Sequence, residues 1–332
     1  VTSRKASDVE LDGHLRDAAA RWLNLVPSEH RRDTPGSAKS ALETLEEHVR
    51  SCREHPFRAL WVAHRHLQDP SPAVRIASLV LASEALWWLE HFQDAQIAAQ
   101  AAVDADPESG QARWRLAVAL YRQGSFDQVR HHLDIFLQSL SRFAPAWALR
   151  GQTKVWLAPK DPDAGRADFK AAAALESDKW VVPQRMSRGA FRAAVDAEIA
   201  KFDAEVGGSS SDPDVGIELL PAESVAAGKD PDIRWEVDNT FGASAASANP
   251  FSPLGGEFAV QTRTQVTTGT RFVLYQRNIE NLCKDNATLS AEIRKSVAEL
   301  YKEALHADQA ISYKGAPEYH AEAEDAPDDE GS

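Results

Sequence analysis

The chain has 332 residues, 43% hydrophobic and 26% charged, which suits two or three folded domains of roughly 100–200 residues each and excludes wholesale disorder. Only two cysteines, Cys52 and Cys283, exclude a disulfide-stapled mini-protein, and the most apolar stretch, 74–89, is broken by Arg75, Ser78, Ser83 and Glu84, which excludes a span of about 20 apolar residues. The net charge of −13 sits almost wholly after residue 202, where 10 Lys and Arg face 24 Asp and Glu, so nucleic acid is excluded as a partner of that part.

The N-terminal stretch Val1-Thr-Ser-Arg-Lys-Ala-Ser-Asp lacks the apolar run of a secretory leader. A cytoplasmic protein with reduced thiols is the expectation. Residues 1–75 read as an N-terminal helical segment, with helices near 9–25, 38–54 and 57–67. Pro56 and the Asp69-Pro-Ser-Pro72 cluster act as breakers. From Val74 to Phe202 apolar residues recur at spacings of three and four, the period of an amphipathic helix.

Inside that stretch runs an internal period of 34 residues, registered at Ile76, Gly110 and Ala144. Units 76–109, 110–143 and 144–178 carry Phe92 and Phe126 as wedge aromatics and Gly124 as a turn glycine, and Pro107 begins the next unit after a stop. Ala95, Ala102, Gly151, Ala167 and Ala174 are small enough for two helices to approach closely. The pattern resembles the tetratricopeptide repeat. The third unit departs from it: Ala158-Pro-Lys-Asp-Pro-Asp-Ala164 replaces the short turn. A capping helix reaches residue 202.

The resemblance implies an inner groove lined from the first helix of each unit. Its candidate residues are Trp88, Trp114, Val118, Tyr121, Arg122, Gln152 and Trp156, aromatic side chains beside one arginine. Such sets anchor protein and peptide segments. Residues 203–214 are Gly- and Ser-rich and read as a linker. Strands are expected near 215–220, 233–237, 257–260 and 271–276, loop over 239–256, and a helix over 290–305. The last stretch, 316–332, reads as a disordered acidic tail.

The run Phe272-Val-Leu-Tyr-Gln-Arg-Asn-Ile-Glu-Asn281, with the helix after it, resembles the C-terminal half of a small bacterial zincin-like metallopeptidase family. In that family the helix carries His-Glu-x-x-His, two imidazoles on one face for Zn²⁺ and a glutamate to polarise the bound water. Here Glu299 and Glu303 stand at the histidine positions, Leu300 at the base position and His306 just beyond. Leucine accepts no proton, so the resemblance implies a peptidase-like domain over 215–315 without peptidase chemistry, no catalytic residue and no resident metal.

A second reading keeps a divalent metal on Glu299, Glu303 and His306, at i, i+4 and i+7, as an atypical metal-dependent hydrolase. His48, Cys52 and His55 share the same spacing, with His64 and His66 following, and read as ordinary helix residues. The expected fold is therefore mostly α: a tetratricopeptide-like helical repeat array followed by a small α+β zincin-like domain. The expected function is an adaptor that binds another protein or peptide segment in the repeat groove, with no nucleic acid and no membrane. Oligomeric state is left open.

Overall fold

A computed structural model of the chain describes residues 13–31, 40–206, 214–220, 222–238 and 271–299. It is mostly α, with a small mixed three-stranded sheet. The chain divides into two compact units. The first takes 1–191, 217–234 and 275–292; the second takes 192–216, 235–274 and 293–332.

The first unit opens with α1 (Gly13–Leu25), α2 (Ala41–Arg50), α3 (Pro56–His66), α4 (Pro72–Trp88) and α5 (Phe92–Ala105). It continues with α6 (Gly110–Arg122), α7 (Phe126–Ser139), α8 (Ala144–Leu157) and α9 (Arg166–Leu175). Local chemistry sets the boundaries. Ser40 and Glu43 form a capping box at α2, each side chain accepting from the other's backbone N–H. Prolines occupy the first turns of α3, α4 and α8, where a missing N–H costs nothing.

Each helix from α2 to α9 packs on the next. The alternate helices α2, α4 and α6 also approach one another more closely than α3, α5 and α7 do, so the stack curves with α2, α4 and α6 inside. This arrangement is compatible with a helical repeat array. Helix α1 lies on α3 and α5, and Arg21 reaches Asp94 of α5 at 2.8 Å. Helix α4 is central: every residue from Ser78 to Leu86 is buried. Its Glu84 is held by Arg115 of α6 at 2.5 Å. In α5 the buried face is Ala95, Ala98, Ala99, Ala102 and Val103, and its four alanines are small enough to let neighbouring backbones come close.

The departure after α8 has a structural counterpart. Asp168 of α9, 3% exposed, is gripped by Arg150 and Lys154 of α8 at 2.6 Å each, and Arg150 also meets Asp134 of α7 at 2.8 Å. Gly165 has φ +71°, and a Cβ there would stand 2.2 Å from the Gly151 carbonyl oxygen. Only glycine permits both the left-handed turn and the contact.

Three later helices follow: α10 (Arg188–Val206), α11 (Ala222–Ala226) and α12 (Gln276–Glu280), and then α13 over 286–299. Helix α10 runs into the stretch expected as a linker, and the expected strand at 271–276 gives way to α12 at Gln276. The strand expected at 257–260, the loop 239–256, the stretch 207–213 and the acidic tail lie outside the described residues.

Strands β1 (Asp214–Glu218), β2 (Trp235–Asp238) and β3 (Arg271–Tyr275) run in the order β1-β3-β2, and of these residues 214–216, 235–238 and 271–274 belong to the second unit. Strands β2 and β3 are antiparallel, with Trp235 opposite Leu274. Val195, Val215, Phe272, Leu274, Ile293 and Val297 are buried in it, and Arg192 donates to the Val215 carbonyl at 2.6 Å.

Candidate functional site

The aromatic residues chosen from the repeat period fall in three places. Tyr121, Arg122 and Trp156 sit at the C-terminal ends of α6 and α8. Trp156 stacks on Phe126 with centroids 4.8 Å apart, and its indole N–H donates to the Tyr121 hydroxyl at 3.2 Å. Arg122 lies over the Phe92 ring at 4.8 Å. Trp114 packs instead against Phe136 and Phe143, with centroids 6.1 and 5.1 Å away. Trp88, at the end of α4, is 37% exposed and meets Trp87 edge-on, with the Arg53 guanidinium 5.3 Å from its ring. Val118 and Gln152 are half-buried.

The cluster around Tyr121 is covered by the chain itself. Tyr121 donates to Asp232 at 3.1 Å, and Arg122 pairs with Asp230. Gly124 has φ +72°, and a Cβ there would come within 2.9 Å of the Ala226 nitrogen, so α11 rests directly on the α6–α7 turn. Burial, reinforced by the Asp232 carboxylate, pushes the Tyr121 phenol well above its ordinary range. It stays protonated and serves as a donor.

A buried polar clamp holds the returning chain in place. Glu280 of α12 is fully buried. Its carboxylate accepts from Arg185 at 3.2 Å, Arg277 at 3.0 Å, the Met186 N–H at 2.9 Å and the Gln276 amide at 2.8 Å. Asn278 donates to the carbonyls of Pro231 and Ile233 at 2.9 and 2.6 Å. Gln276 and Glu280 thus tie α12 to 185–186, Asn278 ties it to 231–233, and Arg277 reaches the Pro159 carbonyl at 3.5 Å. The run that resembles a peptidase motif is here a structural junction. Its signal in the sequence is the density of hydrogen-bonding side chains beside the apolar strand Phe272–Tyr275.

At the other end of the inner face a groove of about 620 Å³ lies between α2, α4 and the start of α6. Leu42, Leu45, Val49, Ile76, Ala77 and Val80 form its apolar surface, with Glu46, Arg50, Asp106, Ser109 and Gln111 also lining it. Leu42 is 40% exposed. The α2 residues were not among the candidates drawn from the repeat, because α2 precedes the first registered unit. Their own spacing, Leu42, Leu45 and Val49 at i, i+3 and i+7, marks the face.

The helix expected at 290–305, on which the candidate metal-motif positions fall, is α13. Glu299 accepts from the Trp235 indole at 3.2 Å; Leu300, Glu303 and His306 lie outside the described residues. Among the described residues no group of three His, Cys, Asp or Glu is placed to hold a metal ion. Burial pushes the Cys52 thiol up to about 12 and the Cys283 thiol to about 11, far from thiolate chemistry at neutral pH. His48 donates from Nδ1 to the Thr44 carbonyl at 2.8 Å. No helix among the described residues is long and apolar enough to cross a membrane. A comparison with protein-family models finds no match, and a comparison with curated proteins finds no significant relative.

Proposed function

We propose that the protein is an interaction scaffold: a helical repeat array of the tetratricopeptide kind whose groove between α2, α4 and α6 receives an amphipathic helical segment of a partner protein. The observation that carries this reading is the apolar surface of that groove, left uncovered by the described residues, beside an inner face whose other end is covered by the chain itself. The choice of a helix follows from the lining. An extended peptide brings unpaired backbone N–H and C=O groups, and an apolar floor of Leu, Val, Ile and Ala offers them no partner. A helix arrives with its backbone satisfied and presents apolar side chains at i, i+3, i+4 and i+7. The mixed charges of the rim, Glu46, Arg50 and Asp106, suit the polar flanks of such a helix.

The strand-and-helix region at the C-terminal end enters the same proposal as a peptidase-like scaffold without peptidase chemistry. Its support is the sequence alone: Glu299 and Glu303 at the histidine positions and Leu300 at that of the base.

The test is photo-crosslinking in the cell of origin, with a benzophenone side chain replacing Leu42, and Leu175, exposed on α9, as the control position. The expected result is a discrete adduct from position 42, absent from position 175 and lost when Ile76→Lys is added. Equal labelling from both positions, or none from position 42, would overturn the groove reading.

A further inference from the structure

A second cavity, of about 560 Å³, lies within the first unit on the far side of the clamp. The irregular α8–α9 loop contributes Pro159, Lys160 and Pro162, the approach to α10 contributes Arg185 to Arg188, residues 217–219 form a third side, and Gln276 and Arg277 a fourth. Four cationic side chains, Lys160, Arg185, Arg188 and Arg277, thus line one cavity in a chain of net charge −13. Glu218 is the one carboxylate among the lining residues, and Glu280 lies buried behind Arg185 and Arg277.

That charge is only partly neutralised. Glu280 is shared between Arg185 and Arg277. Arg188 donates through one nitrogen to the Ile217 carbonyl at 2.7 Å, and among the described residues neither Arg188 nor Lys160 has a carboxylate partner. Arg188 is also the first residue of the 19-residue helix α10, where Ser187 accepts from the Ala190 N–H at 3.2 Å. The positive end of the helix dipole therefore adds to the side-chain charge. Between the cations the walls are apolar: Pro159, Pro162, Met186, Ile217 and Leu219. A cavity of this size, mostly apolar and with a few convergent polar groups, has the character of a small-molecule site.

We propose that this cavity binds a small amphipathic anion, its carboxylate or phosphate held by Arg188 and Lys160 and its apolar body lying against Met186, Ile217 and Leu219. Arginine suits a planar or tetrahedral oxyanion because its fork offers two parallel donors. Arg185 and Arg277, fixed by Glu280, supply the field behind the headgroup rather than direct contacts. The site is separate from the groove between α2, α4 and α6, so it stands or falls independently of the proposed scaffold function.

The experiment is calorimetric titration of the full chain with decanoate, phenyl phosphate, inorganic phosphate and the neutral decanamide, repeated with Arg188→Gln and with the exposed Lys160→Gln. Saturable one-to-one binding of decanoate or phenyl phosphate, about tenfold or more weaker in Arg188→Gln, is expected from the loss of a charge-assisted contact. Whichever of the two binds tighter assigns the headgroup as carboxylate or phosphate. Inorganic phosphate binding as tightly as either amphipath would overturn the apolar half of the proposal, and decanamide binding as tightly as decanoate the anionic half. No saturable binding at about 10 mM, or binding unchanged in Lys160→Gln with circular dichroism intact, would overturn the site altogether.

Discussion

The two ends of the inner face have met opposite fates. Around Tyr121, Arg122 and Trp156 the aromatic cluster is sealed by residues that return from more than a hundred positions away, and each of these three side chains has an internal polar partner. Between α2 and α4, none of the described residues covers a second apolar surface, and Leu42 is 40% exposed among them. A repeat array offers the same kind of surface at every step. What distinguishes the steps is whether the chain supplies its own cover, and the covered end shows what such cover needs. It has apolar contact from Val225, polar ties from Asp230 and Asp232, and an anchor at Glu280.

The largest expected effect comes from removing that anchor. Glu280→Ala leaves two half-buried guanidinium groups without their shared counter-ion, a change that costs up to about 3 kcal/mol. Urea denaturation should show that loss, and hydrogen exchange should place it at 217–234 and 275–292 while α2 to α5 keep their protection. Uniform loss of protection would mean that the cover and the array form one cooperative unit. Gly124→Ala tests the same end from below. The left-handed φ costs about 1–2 kcal/mol for a residue with a Cβ, and that Cβ meets the Ala226 nitrogen, so α11 must move. Faster exchange at 222–228, with α4 unaffected, is the expected signature.

The sequence carried some of this and not the rest. A 34-residue spacing puts Arg122 and Trp156 at equivalent positions with Tyr121 beside Arg122, and Trp156 and Tyr121 do share a hydrogen bond. The same logic grouped Trp114 with them, yet Trp114 turns towards Phe136 and Phe143, since a bulky side chain at a unit boundary follows the nearest unfilled volume. Periodicity is silent about partners outside the repeat. Asp232 lies 111 residues beyond Tyr121 in a stretch with no helical period, and nothing local in Asp230-Pro-Asp-Ile marks it as a lid. Short-range signals served better: Pro56 and Pro72, read as breakers, stand in the first turns of α3 and α4 and so act within one turn of a helix boundary. The helix α12 was missed because Gln276 continues an apolar strand pattern, and it is tertiary pairing with Met186 and Glu280 that bends the chain there.

Titration separates the two ends further. The Tyr121 phenol is held protonated in the folded state, whereas in the unfolded chain it ionises near its ordinary value of 10. Above pH 10 the unfolded state therefore binds fewer protons than the folded one, and stability falls as pH rises; below pH 10 this contribution is fully present. The slope from one such group approaches about 1.4 kcal/mol per pH unit. Tyr121→Phe removes it. The variant should lose about 1 kcal/mol at neutral pH, from the missing hydrogen bonds, and show a flatter urea-midpoint profile between pH 10 and 11 than the parent. Parallel profiles would mean that the phenol ionises freely and that the 230–232 turn does not seal it.

The smallest expected effect falls at the open end, and its smallness carries the contrast. Leu42→Gln removes an apolar side chain that is already 40% in water, so little burial is lost, and the change in stability should stay within about 0.5 kcal/mol. A glutamine also sustains the helix as well as leucine does, leaving α2 and its capping box in place. If Leu42 served only to complete the fold, it would be packed like Leu45, which is 1% exposed on the same helix. An apolar residue that contributes almost nothing to folding yet borders an apolar groove is placed for contact with something else. Leu42→Gln should therefore leave the urea midpoint unchanged while removing any ligand that the groove holds. A loss of 2 kcal/mol or more, as for a buried leucine, would move Leu42 into the core and erase the distinction between the two ends.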